Sequence, residues 1–104
     1  MAQFDIYANP NPDTQQQVPY LLDIQAELLS HFNTRVVAPL YHKGNISNLL
    51  HRLNPTLSIH GEVFILSISE LAAVPVVYLG EAVANAHGDR EDIIAAIDML
   101  ITGI

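Results

Sequence analysis

Residues with chemical capacity are thinly spread along this chain. His31, His42, His51, His60 and His87 offer imidazoles for proton transfer or metal binding. No two of them form a His-x-His or His-x-x-x-His pair, the spacings that aim two ring nitrogens at one cation. No cysteine is present, which removes disulfides and thiolate metal sites. Ser30, Ser47, Ser58, Ser67 and Ser69 lie outside any Gly-x-Ser-x-Gly nucleophile elbow. Gly44, Gly61, Gly80, Gly88 and Gly103 never cluster into a phosphate-cradling loop. Glu91, Asp92 and Asp98 fall on one expected helix, where they read as dipole-suited first-turn acids and a solvated rim rather than an acid/base pair. The residues therefore predict no catalytic group, no metal and no cofactor.

Charge narrows the partners. Only Arg35, Lys43, Arg52 and Arg90 are basic, against 11 acids, giving a net charge of −7. Affinity for nucleic acid rests on Lys and Arg displacing counterions from phosphates, so direct binding of DNA or RNA is not expected. Arg35 is the only cation inside an expected strand, and Asp23 or Glu27 is its natural partner.

A length of 104 residues predicts a single domain spanning 1–104 with a core that needs no staples. Half the residues are hydrophobic and only 14% are charged, a greasy balance for a small monomer, so an oligomer that hides surface is expected. No apolar stretch approaches the ~20 residues of a membrane span and no signal segment opens the chain, so the expected location is the cytoplasm, away from the membrane.

The elements that must position these residues read as strands first and a helix last. Phe4, Ile6 and Ala8 alternate with Gln3, Asp5 and Tyr7, the period of a half-buried strand. Asn9 to Val18 carries two prolines, two asparagines and three glutamines and reads as a mobile loop. Tyr20 to Gln25 is a second strand, and Thr34 to Ala38 a third that Pro39 stops. Gly44 to Asn54 reads as a helical turn or loop. Thr56 to Ile59 and Val63 to Ile68 flank a hairpin at His60-Gly61-Glu62. Pro75 opens a last strand, Val76 to Leu79. Asp89 is placed as the N-cap of a helix from Arg90 to Leu100, with Gly103 as its left-handed stop. So short a tail is held in place by that helix. This order predicts an antiparallel sheet or partly open barrel packed by one terminal helix.

The helix has an unusually wide apolar arc. Ile93, Ile97, Leu100 and Ile104 form a stripe that Ile94 and Ile101 broaden, with Ala95, Ala96 and Met99 beside it. Its own core needs an arc of about 100°. The excess fits either packing against a second copy or complete burial in its own domain.

Five blocks in order carry a family resemblance: Gln3-Phe4-Asp5-Ile6-Tyr7, Tyr20 to Leu29, Thr34 to Leu40, Asn54 to Glu62, and Leu71 to Glu81 running on to the terminal helix with Thr102-Gly103-Ile104. Together they resemble the CcdB family of toxins, in its chromosomal-type form, over nearly the whole chain. The resemblance implies an SH3-like, partly open antiparallel barrel with one C-terminal α-helix, a fold shared with MazF-type toxins. It also implies a two-fold homodimer. The function implied is that of the toxin of a type II toxin–antitoxin module. Such a toxin binds the gyrase A subunit and traps gyrase joined to cut DNA, without doing chemistry itself. A CcdA-like antitoxin neutralises it with a disordered arm and carries the DNA-binding domain that represses the shared operon.

Position by position, the resemblance places gyrase contacts at Leu28, Leu29, Asp98, Ile101, Thr102, Gly103 and Ile104. Asp98 stands for an asparagine, Ile101 for an aromatic, and Thr102 for a tryptophan able to stack on an arginine. That stacking contact is worth up to ~2 kcal/mol when desolvated. Leu28 and Leu29 fit core and contact equally well on residue type alone. The long loop places antitoxin contacts at Asn9, Asn11 and Asp13. Two further readings remain: a silent domain that only binds antitoxin, and a MazF-like endoribonuclease, which the scarcity of basic residues disfavours.

Overall fold

A computed structural model describes residues 2–29, 31–43 and 53–103. Among these residues seven strands form one antiparallel sheet: β1 (Asp5–Ala8), β2 (Tyr20–Asp23), β3 (Thr34–His42), β4 (Thr56–Ile59), β5 (Glu62–Leu66), β6 (Ala72–Pro75) and β7 (Ala82–Asn85), followed by α1 (Arg90–Thr102). The strand order is β4-β5-β3-β2-β1-β7, with β6 also paired to β3. The sheet curls into a half-barrel closed on one side by α1, the architecture expected from the sequence. The turn or loop expected over Gly44–Asn54 lies, apart from Leu53 and Asn54, outside the described residues.

The length of β3 creates the curl. Its first half, Thr34 to Val37, pairs with β6, and its end, Leu40 to His42, pairs with β5, while β2 runs along the other edge from Val37 to Leu40. Pro39 therefore does not stop the strand. It sits where the neighbour changes from β6 to β5, so its missing N–H interrupts no ladder bond. Its carbonyl still accepts from the Ser67 amide at 3.0 Å.

Curling also covers both faces of β1. Ile6 enters the main core with Phe4, Leu22, Leu40, Phe64 and Ile93. Tyr7, expected to point to solvent, is 2% exposed and joins a second small core with Val37 and Leu79. Ala8, expected inside, is exposed. Phe4 lies just before the strand in a left-handed conformation, φ 69°. Its amide nevertheless reaches the Asp23 carbonyl at 2.6 Å.

The β4–β5 hairpin turns through His60 (φ 51°) and Gly61 (φ 83°), and Ile59 pairs with Glu62. Two positive φ values make it a type I′ turn, whose twist matches the strands. β5 ends at Leu66, short of the expected Ile68, where a 3₁₀ turn spans Ile68–Glu70. Farther on, the expected strand over Val76 to Leu79 is wrong. Ala72–Pro75 is the strand, and Val76–Tyr78 is a 3₁₀ turn entered through the Val76 amide on the Asn33 carbonyl at 2.8 Å. β7 was not expected at all, because Ala82-Val83-Ala84-Asn85 has weak strand propensity. Pairing with β1 overrides that, and the Asn85 amide fastens it to Asp5 Oδ1 at 2.9 Å.

α1 buries Ile93 and Ala96 and half-buries Ile94, Ile97 and Leu100 against the main core. A 3₁₀ turn at His87–Asp89 leads in, and Asp89 makes no capping hydrogen bond through its side chain. The Asn85 side chain instead accepts from the His87 amide at 2.8 Å. Among the described residues no helix is long and apolar enough to cross a membrane.

Candidate functional site

The end of α1 brings together Asp98, Ile101, Thr102 and Gly103 of the residues singled out in the sequence. Asp98, Ile101 and Thr102 are spaced i, i+3, i+4 and so share one helix face. All three are exposed, and Ile101 is 71% exposed. Gly103 follows in the left-handed conformation (φ 78°), its amide closing on the Met99 carbonyl at 3.1 Å. This is the glycine stop that the sequence predicts. The Thr102 hydroxyl donates to the Asp98 carbonyl at 2.7 Å, which commits its polar atom to the helix. The face therefore offers two aliphatic groups, Ile101 and the Thr102 methyl, beside the Asp98 carboxylate. Ile104 lies outside the described residues.

Leu28 and Leu29 stand together on a 3₁₀ turn, Glu27–Leu29, just after β2. Leu28 is 86% exposed and so is not core, whereas Leu29 is half-buried. The turn hangs from a buried ion pair. Arg35 donates from Nε to Asp23 Oδ2 at 2.8 Å, and from Nη2 to Asp23 Oδ1 at 3.0 Å and to the Gln25 carbonyl at 2.9 Å. Both side chains are fully buried. Arg35 thus takes the structural partner anticipated for it, and its guanidinium does not reach solvent where an RNA phosphate would lie. Its Nη1 is buried without a hydrogen-bond partner among the described residues.

The Asn9–Val18 loop is more organised than its composition suggests. Asn9 is buried, and its Nδ2 donates to Thr14 Oγ1 at 2.9 Å and to the Val18 carbonyl at 2.8 Å. Its Oδ1 accepts from the Asn11 amide at 3.0 Å, and Asn11 Oδ1 in turn accepts from the Asp13 amide at 2.9 Å. Asn9 therefore latches the loop from inside, and Asn11 and Asp13 are among its exposed members.

The loop forms one wall of a groove of ≈ 670 Å³ that Asn9 and Asn11 also line. Leu21, Pro39, Tyr41, Glu70, Val74 and Tyr78 line it as well. The Tyr41 hydroxyl donates to Glu70 Oε2 at 2.8 Å. Desolvation, then the hydrogen bond to Glu70 and its charge, push the Tyr41 phenol up to about 12. Tyr41, Tyr78 and Glu70 were missed in the sequence. The available signal was parity: Arg35, Val37, Pro39 and Tyr41 share one face of β3, which becomes visible once the strand is allowed through Pro39.

Comparison with known families agrees with this architecture: the model of the CcdB family, described as CcdB protein, matches residues 3–103. The chain belongs to the CcdB family. The match takes in both the half-barrel and the terminal helix, so the exposed face at the end of α1 lies within the matched region. CcdB membership places the chain among toxin–antitoxin toxins.

Proposed function

We propose that this chain is the toxin of a type II toxin–antitoxin module. Acting as a homodimer, it would bind the gyrase A subunit and hold gyrase in its covalent complex with cut DNA, and a CcdA-like antitoxin would neutralise it. The observation that carries the reading is the unburied face at the end of α1, in a chain of the CcdB family. Ile101 is left exposed although the same helix has its own core-facing side. Covering a side chain of that kind contributes about 1.5–3 kcal/mol. Asp98, Ile101, Thr102, Gly103 and Ile104 are assigned to the gyrase contact, with Leu28 and Leu29 as a second contact.

A poison of this type needs no catalytic group. It stabilises one state of gyrase by binding that state more tightly than the others. A two-fold toxin on the axis of a two-fold enzyme would present two copies of the terminal face. Asn9, Asn11 and Asp13 are assigned to the antitoxin side, Asn9 by holding the loop and the other two by contact. The net charge of −7 favours an antitoxin whose contacting parts are basic.

Calorimetry of gyrase A with the full chain and with a chain lacking Thr102 to Ile104 tests the assignment. Binding by the first and not the second supports it, and equal binding refutes it. Thr102 favours one second reading, a silent domain that binds antitoxin and adjusts repression, since the threonine hydroxyl is committed to the Asp98 carbonyl and the residue carries no aromatic ring. That reading predicts antitoxin binding with no gyrase binding from a folded chain.

A further inference from the structure

The Glu27–Leu29 turn that carries Leu28 cannot hold itself. It is three residues long, buries none of them, and closes through the Leu29 amide on the Ala26 carbonyl at 3.0 Å. A single turn fixes several backbone dihedrals for little hydrogen bonding, so its stability must come from its neighbours. Gln25 supplies it. In a continuing β2–β3 ladder, Ile24 and Val36 would exchange both of their backbone hydrogen bonds. Only one direction of that exchange is made: the Ile24 amide donates to the Val36 carbonyl at 3.0 Å. The Val36 amide turns instead to Gln25 Oε1 at 2.9 Å, and the Ile24 carbonyl accepts from Gln3 Nε2 at 3.2 Å. The Gln25 side chain thus stands in for a peptide group and ends the ladder there. Its Nε2 reaches the Leu29 carbonyl at 3.5 Å, the same acceptor that takes the Phe32 amide at 3.1 Å. The Gln25 backbone amide donates to Asp23 Oδ1 at 3.0 Å, and its carbonyl accepts from Arg35 Nη2 at 2.9 Å. Every polar group of Gln25 is therefore engaged between the buried ion pair, β3 and the exposed turn.

We infer that Gln25 is a positioning residue for the gyrase contact, its side-chain amide stopping the β2–β3 ladder and holding the Glu27–Leu29 turn so that Leu28 is presented to the partner. The inference rests on the gyrase reading proposed above and adds to it the residue that pre-organises its second contact. Leu28 is 86% exposed, so its own packing does not fix where it stands. An apolar side chain on an unheld turn must be ordered when the partner binds, and that ordering weakens binding. Where the presenting arrangement is one of several, apparent affinity falls with the fraction of molecules that adopt it. Holding the turn beforehand removes that loss. The residue type suits the task, because a side-chain amide can accept from Val36 and donate to Leu29 at once. A carboxylate accepts only, and an aliphatic chain does neither.

Calorimetry with gyrase A and amide hydrogen exchange, both on the full-length chain, test it together. Gln25→Ala should weaken gyrase A binding about tenfold. It should also speed exchange at the Leu29 and Phe32 amides, with exchange at the Gly103 amide unchanged. The loss should be shared with the contact it serves. Adding Gln25→Ala to Leu28→Ala should weaken binding little further, whereas adding it to Ile101→Ala should bring the full loss of about tenfold. A merely structural role would lower affinity equally in both backgrounds. Gln25→Glu keeps the acceptor for Val36 and loses the donor to Leu29, so it should bind more tightly than Gln25→Ala, and it takes over the test if the alanine variant does not fold. Unchanged exchange at Leu29 and Phe32 would overturn the inference, as would equal losses in the Leu28→Ala and Ile101→Ala backgrounds. Absence of gyrase A binding by the unaltered chain is a different failure. It refutes the gyrase reading and the role given to Gln25 within it, while the exchange rates alone decide whether Gln25 holds the turn.

Discussion

The threonine at position 102 is less polar than its residue type suggests. Its hydroxyl is committed to the Asp98 carbonyl, which leaves the methyl group as the part of the side chain free to meet a partner. Asp23 and Arg35 are the opposite case, two formal charges sealed inside the protein. Arg35 against Asp23 was legible because one strand-borne cation had only two acids in reach. The orphaned Nη1 was not legible, since it depends on how closely β2, β3 and the Glu27–Leu29 turn pack. Breaking the pair leaves an uncompensated buried charge, so Asp23→Ala should cost about 3–5 kcal/mol in urea unfolding. The double replacement Asp23→Leu with Arg35→Met should cost less than either single change, and a double variant worse than both would contradict this account of the pair. Tyr7 gives a second residue-scale prediction. Burial, with the charges of Asp5 and Asp23, pushes its phenol from 10.0 to about 12. A raised folded pKa means that the unfolded chain releases this proton first as pH rises. The contribution is therefore complete below about pH 10 and is lost as pH rises through about 12, and Tyr41 adds in the same direction. Unfolding measured across that window should show stability falling with pH, and falling less steeply in Tyr7→Phe.

Elements with their own local signal could be read directly. The β4–β5 hairpin was evident from His60-Gly61 between alternating strands, and the end of α1 from Gly103. Elements that exist because a neighbour accepts them could not. Pro39 is harmless only because β3 changes partners beside it, and β7 is a strand only because β1 offers an edge. The wrong strand near Pro75 has the same origin: β-branched Val76 and Val77 looked better than Ala72 and Ala73, yet Thr34 to Val37 pair with the alanines. The hairpin supplies the test at this scale. His60 holds φ 51° without being a glycine or asparagine, so His60→Asn should relieve strain and stabilise by about 0.5 kcal/mol, read as a raised melting temperature. A lowered one would mean that the His60 ring makes contacts the turn needs.

For the whole molecule, the main core covers one side of α1 and leaves the other side exposed among the described residues. Leu28, Val77 and Ile101 remain exposed on a small chain that is half hydrophobic. The wide apolar arc of α1 was legible, but its division between own core and outer face was not, because periodicity cannot tell which half of an arc is already covered. The central claim is that the outer face belongs to gyrase. Supercoiled plasmid, purified gyrase and ATP, incubated with this chain and then treated with detergent and protease, tests it most directly. The account predicts linear DNA with the full chain and none with a chain lacking Thr102 to Ile104. Absence of linear DNA with a folded, dimeric full chain would contradict it.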